Sequence, residues 1–408
     1  MASNDPIAGV VVGSILCEIK SMMTASDERL LEILERLPKE KIKEPVSSGF
    51  TIATVAVQTH PDLIEEVQDC LKVHSEFSIE RQVFYDSAQL HFHPYTAAIS
   101  IVGYAMQNGS QMAVDWYRKI INAQTATVRH SGLVSGLTVN NRIGFSNKIS
   151  IIPLNEAGDG PQVLAAKQHS LPDVMHGVFG TQFTALAFRD AEYEQSDRLP
   201  RPPASHEFIH DADEVLIGCV LNESLAPALT VDWDEFRDPA MRAAENSYGS
   251  GGNPQEAPVT WGRVLTEDDV PNIELYLALE ERFKKNMRVA LTRVGWARRK
   301  KSAANRAIEY SIALEALLSD GRTEITHKIS TRAAIILGEN ADERVNYRKL
   351  IKSLYTLRSK AVHGSVVNEV GEGDVVKESE RAISKLLVTA AQRGYDFDFD
   401  RLDLIAQI

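Results

Sequence analysis

The chain is poor in the residues that staple or anchor a protein. It holds 3 cysteines in 408 residues, Cys17, Cys70 and Cys219, far apart and odd in number. A disulfide scaffold is excluded, and thiols used this sparsely behave as small buried hydrophobes in a reducing compartment. A cytoplasmic setting is therefore expected. No apolar run approaches the roughly 18 residues that span a bilayer, so no membrane partner is expected. The apolar stretch near the N-terminus has no basic residues ahead of it and soon meets Glu18 and Lys20, so it does not read as a signal peptide. Also missing are a Gly-x-x-x-x-Gly-Lys-Ser/Thr loop, a Gly-x-Ser-x-Gly elbow and any paired Cys-x-x-Cys. A nucleotide-driven motor, an α/β-hydrolase and a zinc ribbon are thus unsupported. Neither internal repeats nor long low-complexity segments occur.

What is present is an ordinary globular composition with an acidic balance. Apolar residues make up 44% and charged residues 25%, and the net charge is -12. The length suits two or three domains. Bulk acidity argues against coating nucleic acid over the whole surface. One stretch breaks the pattern: Arg282 to Arg306 contains ten basic residues and no acidic one. Lys284, Lys285, Arg288, Arg298, Arg299, Lys300 and Lys301 are its candidates for tracking an RNA backbone, with salt-dependent affinity. Trp296, within it, reads as a core anchor rather than a base-stacking platform.

The pattern predicts an α+β chain in two parts. Residues 1–246 form a mixed region with a substantial β-sheet, 247–269 a linker, and 270–408 an all-α bundle. In the first part, 27–37 and 61–71 have helical spacing, and 95–121 reads as helix interrupted at Asn108-Gly109. Segments 50–58, 125–139, 142–154, 178–188 and 214–224 read as strands, rich in β-branched and aromatic residues. The Gly/Ser-rich run Ser247–Asn253, with Pro254 and Pro258, marks the linker. Beyond it, helices are expected near 271–282, 284–300, 303–319, 324–338, 342–363 and 377–394, with Gly321, Gly338 and Gly364 as stops.

Residues 343–365, ERVNYRKLIKSLYTLRSKAVHGS, carry the most chemistry. Tyr347, Leu350, Ile351, Leu354, Leu357 and Ala361 recur at helical spacing and face inward. Arg358 sits at the edge of that stripe. His363 follows five residues later, about 140° around an unbroken helix, so the two converge only where the helix loosens or ends. Arg supplies a permanently charged fork for phosphate oxygens and for a pentacoordinate transition state. His titrates near neutrality and moves a proton to or from a ribose hydroxyl. The bare Arg-x4-His spacing is a weak motif, with roughly even odds by chance in such a chain.

The wider text is more specific. LYTLRSKAVHGS, preceded by RAIEYSIALEALLSD and HKISTRAAIILG, resembles the Apea-like branch of the HEPN superfamily over about 270–395. That branch carries a Leu-Glu-Ala-Leu helix, an Arg-Ala-Ala helix and a Tyr-x-x-Arg-Ser-x-x-Val-His-Gly end. The resemblance implies a small helical bundle that dimerises, and a metal-independent endoribonuclease in antiphage defence whose Arg and His face each other across the dimer. Arg358 and His363 would be the catalytic pair, with no cofactor. Ser359 takes the polar position after Arg, where many active members carry Asn, Asp or His. Other members are non-catalytic, so an RNA- or protein-binding dimerisation module is the alternative. Residues 1–268 would then sense a trigger or restrain the bundle.

Glu315 lies on a largely apolar helix face, where a carboxylate is costly unless paired. It is expected either to bond Arg358 or orient His363, or to reach solvent or pair with Arg332. A rival motif is His206-Glu207-x-x-His210, the formal signature of a zinc peptidase. Its setting is poor, between a Pro-rich loop and an expected strand, and it lacks a third ligand. His91 and His93 form a further candidate metal pair on one face of a strand. No metal is assigned to either.

Overall fold

The computed structural model describes residues 25–37, 55–73, 81–157, 163, 185–238, 241, 263–321, 324–364 and 371–405. The architecture is α+β, with a five-stranded antiparallel sheet in the first half and helices in the second. The first half begins with α1 (Ala25–Leu34), α2 (Pro61–Lys72), the hairpin β1 (Arg81–Tyr85) and β2 (Ala88–Phe92), α3 (Pro94–Asn108) and α4 (Ser110–Ile121). Leu34, Val67, Leu90, Ile101 and Val102 form its core. Then follow β3 (Thr125–Ser135), β4 (Thr138–Val139), β5 (Ile143–Gly144), β6 (Ser150–Pro153), β7 (Ala185–Glu194), α5 (Ala204–Cys219) and β8 (Ala228–Phe236).

The sheet order is β5-β6-β7-β3-β8, which makes β3 an interior strand paired on both edges. Its alternating side chains serve two layers. Leu133 joins Leu186, Phe188, Val231 and Trp233 on one face. Val134, Ala185 and Ala187 meet Phe208, Ala212, Val215 and Cys219 of α5 on the other.

Two expected strands are helical. Residues 214–219 of the segment 214–224 are the last turns of α5. The run EVLIGC looks strand-like by composition, but Phe208, Ala212, Val215, Leu216 and Cys219 repeat at helical spacing and cover the sheet. Residues 55–59 are also helical, while 50–54 lie outside the described residues. Conversely, β8 is a full nine-residue strand although Asp232, Asp234 and Glu235 interrupt its apolar run.

The second half contains β9 (Val264–Leu265), α6 (Val270–Leu277), α7 (Glu281–Arg299), α8 (Ala303–Leu318), α9 (Ile325–Leu337), α10 (Ala341–Val362), α11 (Gly371–Arg393) and α12 (Phe399–Ile405). Met287, Leu291, Tyr310, Leu314, Leu354, Ile383 and Leu387 build its core. The helices lie close to the expected positions because each carries a continuous apolar stripe and a local stop. Gly338, the C-cap of α9, leaves no room for a side chain: a Cβ there would stand 2.8 Å from the Arg344 nitrogen.

The two halves share packing. Val220 and Leu221 enter the core of the bundle. Of the expected linker, 247–262 lie outside the described residues. Arg263 to Asp269 are ordered structure: β9 pairs in parallel with β4, and Thr266 and Asp269 form a capping box ahead of α6. Arg263 pairs with Asp269, which together with the Thr266 contacts outweighs burial and holds that carboxyl below the ordinary range. Among the described residues no helix is long and apolar enough to cross a membrane.

Candidate active site at the end of the long bundle helix

The 22-residue α10 is N-capped by Asn340, whose side chain accepts the Glu343 amide. Glu343 returns the contact to the Glu339 amide and the Asn340 side chain. Ile351, Leu354, Tyr355 and Leu357 are buried against the bundle, which fixes the rotation of α10 and leaves Arg358 at the rim. The Arg358 side chain is 38% exposed, and its Nη2 lies 3.6 Å from Glu315 Oε1 on α8. Tyr355 OH stands 3.4 Å from both the Ser311 carbonyl and Glu315 Oε1. Burial, and next the Glu315 charge, push the Tyr355 phenol well above its ordinary value, so it stays protonated and serves as a donor. Glu315 is thus held between a buried phenol and a rim guanidinium. Arg332, the other partner considered for it, is buried elsewhere with Asp320 and Asp403.

Arg358 is held loosely. Its Nε is buried without a hydrogen-bond partner, and the Glu315 contact at Nη2 exceeds normal hydrogen-bond length. Its terminal Nη nitrogens keep donors for an incoming anion. Ser359 and His363 are exposed. His363 caps α10: its amide bonds the Ser359 carbonyl at 3.1 Å, and Gly364 turns the chain away at φ +73°. No hydrogen bond or ion pair joins His363 to Arg358 among the described residues. The helix keeps its course through Val362, so one chain presents the two groups about 140° apart around the axis.

The basic stretch divides. Arg298 is 5% exposed at its side chain and donates to the carbonyls of Val220, Asn222 and Leu225 and to Glu380 and Ser384. Arg299 reaches the carbonyls of Ala226 and Pro227. Lys284 and Arg288 pair with Glu214 of α5. These four tie the bundle to the first half. Lys285, Lys300 and Lys301 are exposed. Trp296 is half-buried, with the Arg293 guanidinium 4.5 Å from its ring.

His206, Glu207 and His210 do lie on a regular helix, the first turns of α5, which is longer than the two turns expected. All three are exposed, and no third ligand joins them among the described residues. The other pair does not share a strand: β2 ends at Phe92, and His93 precedes α3 as its N-cap.

The sequence reading passed over a buried polar cluster in the first half. His130 is fully buried on the α5 face of β3, directly opposite Asp234 of β8. Its Nδ1 lies 2.5 Å from Asp234 Oδ1, its Nε2 2.8 Å from the Tyr193 hydroxyl and 3.9 Å from Asp86 Oδ2. Asp86 occupies the β1–β2 turn at φ 54°, a left-handed conformation that Asp tolerates, and accepts the first amides of α5 from Ala204 and Ser205. Burial, and next the Asp86 charge, raise the Tyr193 phenol to about 12. Comparison with protein-family profiles, curated proteins and solved structures returns no match to this chain.

Proposed function

We propose that the helical bundle is a metal-independent endoribonuclease of the HEPN type, acting in antiphage defence. The supporting observation is the half-exposed Arg358 in a long contact with Glu315, followed by an exposed His363 at the helix end. Arg358 takes the scissile phosphate and offsets the charge gained in the pentacoordinate transition state. The ribose 2′-oxygen attacks phosphorus and the bond to the 5′-oxygen breaks. His363 moves a proton, from the 2′-hydroxyl or to the departing 5′-oxygen. The products are a 2′,3′-cyclic phosphate and a 5′-hydroxyl, and the nucleophile belongs to the RNA itself. Glu315 positions the guanidinium, and exposed Lys285, Lys300 and Lys301 add salt-sensitive attraction for RNA.

Purified wild type and His363→Ala are incubated with total RNA and tRNA in EDTA across a salt series. Cleavage by wild type alone, leaving cyclic-phosphate ends, is the expected result. Equal cleavage by both, or salt-sensitive binding without cleavage by either, counts against the nuclease; the latter favours the binding module. In the same assay Glu315→Gln lowers cleavage about tenfold, equivalent to ~1.4 kcal/mol in the barrier. Unchanged cleavage with an unchanged melting temperature removes Glu315 from the site.

A further inference from the structure

The basic run on α7 is largely committed within the fold. Arg288, Arg293, Arg298 and Arg306 pair with acids, and Arg299 holds carbonyls. The cations of α10 are not committed in the same way. From Arg344 to His363 the helix carries six lysines and arginines and no acid, in a chain of net charge -12. Glu343, just ahead of them, is taken up by the N-cap.

Helical geometry gathers part of this charge into one row. Lys349, Lys352, Thr356, Ser359 and His363 follow at steps of three and four, so all stay within about 40° of one line along the helix. All five are exposed, while Ile351, Leu354, Tyr355 and Leu357 on the other sides are buried. Lys349 and Lys352 have no ion pair among the described residues. Arg348, at the edge of the row, reaches His327 Nδ1 at 3.4 Å and meets no carboxylate there. Thr356 turns its hydroxyl back onto the Lys352 carbonyl at 3.0 Å and is an uncharged step in the row. At about 1.5 Å per residue the row rises about 21 Å from Lys349 to His363. Like charges three and four residues apart, as in Lys349 with Lys352 and Arg348 with Lys352, weaken a helix. An anionic partner relieves that repulsion.

We propose that this row is the track of a single RNA strand, which crosses Lys349 and Lys352 and reaches the reacting phosphate at His363. The end point rests on the nuclease reading, whereas the track rests on charge and helical geometry. An RNA backbone supplies anions in series and binds with salt-dependent affinity. The row holds no aromatic side chain on which a base could stack, so it grips the backbone and tolerates any sequence. A second copy does not suit the basic part of the row, because a two-fold contact there sets lysines against lysines. A duplex is held across two grooves over about 16 base pairs, which one row of side chains does not span. Attack by the 2′-oxygen also needs that oxygen in line with the bond that breaks, and a regular duplex holds it off that line. Arg358, about 140° away around the axis, approaches the phosphate from outside the row.

The test uses the full chain in EDTA and a short fluorescein-labelled oligouridylate with 2′-O-methyl riboses, which cannot be cut. Its binding is followed by anisotropy across a salt series. Wild-type affinity falls as salt rises. Lys349→Gln/Lys352→Gln flattens the log–log slope by about 1.4, since each phosphate contact on a single strand contributes ~0.7. The same relation makes binding about 25-fold weaker at about 0.1 M salt. Lys349→Arg/Lys352→Arg keeps both charges and retains the slope. Lys72→Gln/Lys377→Gln removes as much charge from exposed positions on α2 and α11 and stays within about threefold of wild type, because distant charges are screened. An unchanged slope in the α10 glutamine pair overturns the track, as does absence of salt-sensitive binding by wild type. Tighter binding of the matching duplex also overturns it, and equally tight binding of a polyglutamate peptide makes the row a contact for an acidic protein instead. None of these readings involves cleavage. Binding along α10 without cleavage of ordinary RNA leaves the track standing and removes the nuclease, whereas cleavage by wild type with an unchanged slope in the pair does the reverse.

Discussion

A one-to-one mixture of Arg358→Ala and His363→Ala chains, each inert alone, recovers about a quarter of wild-type RNA cleavage once the chains exchange partners. Each single variant loses about 10²–10⁴-fold, the usual weight of a proton-transfer group. The recovery follows from the helix. His363 still bonds back to the Ser359 carbonyl, so α10 does not loosen between Arg358 and His363. One chain therefore presents them on different sides, so under the proposed mechanism a complete site takes the arginine of one copy and the histidine of another. Random pairing makes half the dimers mixed, and each mixed dimer regains one of two sites. The measurement is the cleavage rate of the exchanged mixture and, from co-expressed, differently tagged chains, of the purified mixed dimer, for which half the wild-type rate is expected. An inert mixed dimer shows that the pair does not act across two chains.

Replacing Arg332 by alanine destabilises the bundle by about 3–5 kcal/mol, the cost of breaking a buried charge network. For a region of this size that lowers the melting temperature by roughly 10 °C or more. Arg332 is fully buried on α9 and grips three elements at once. It donates to both oxygens of Asp403 at 2.8 and 2.6 Å, to Asp320 at 3.1 Å and to the Leu318 carbonyl at 2.7 Å. Its guanidinium also lies 4.3 Å from the Phe399 ring. Alanine leaves the Leu318 carbonyl and Asp403 without that donor and opens a void beneath α12. Thermal unfolding checks this; a shift under 2 °C would show the network to be dispensable.

The same network sets a pH dependence. The hydrogen bonds from Arg332 hold the Asp403 carboxyl below its ordinary value. A carboxyl whose pKa is lower folded than unfolded adds stability that is complete above the unfolded value and lost as pH falls through the folded one. The gap in melting temperature between wild type and Asp403→Asn therefore narrows below about pH 4.

The bundle was largely legible in the sequence because its determinants are local. Apolar residues at three- and four-residue spacing set α7 to α11 without reference to distant partners, helped at α10 by the Asn340 cap. Arg358 and Glu315 were legible as interruptions of apolar stripes, but their contact was one of several open alternatives until the packing of α8 against α10 placed them together. Other assignments had no local signature. Residues 214–219 have the composition of a strand, and only their packing against β3, β6 and β7 shows why the helical period prevails. Arg298 reads like any exposed basic residue, yet it is spent on carbonyls more than seventy positions earlier. His130 and Asp234 are 104 positions apart and meet only because β3 and β8 pair in that register. Local periodicity thus settled which segments of the bundle are helices, but not 55–59 or the end of α5. Tertiary structure decided which charges are buried together, because burial and charge pairing depend on neighbours that the chain brings in from afar.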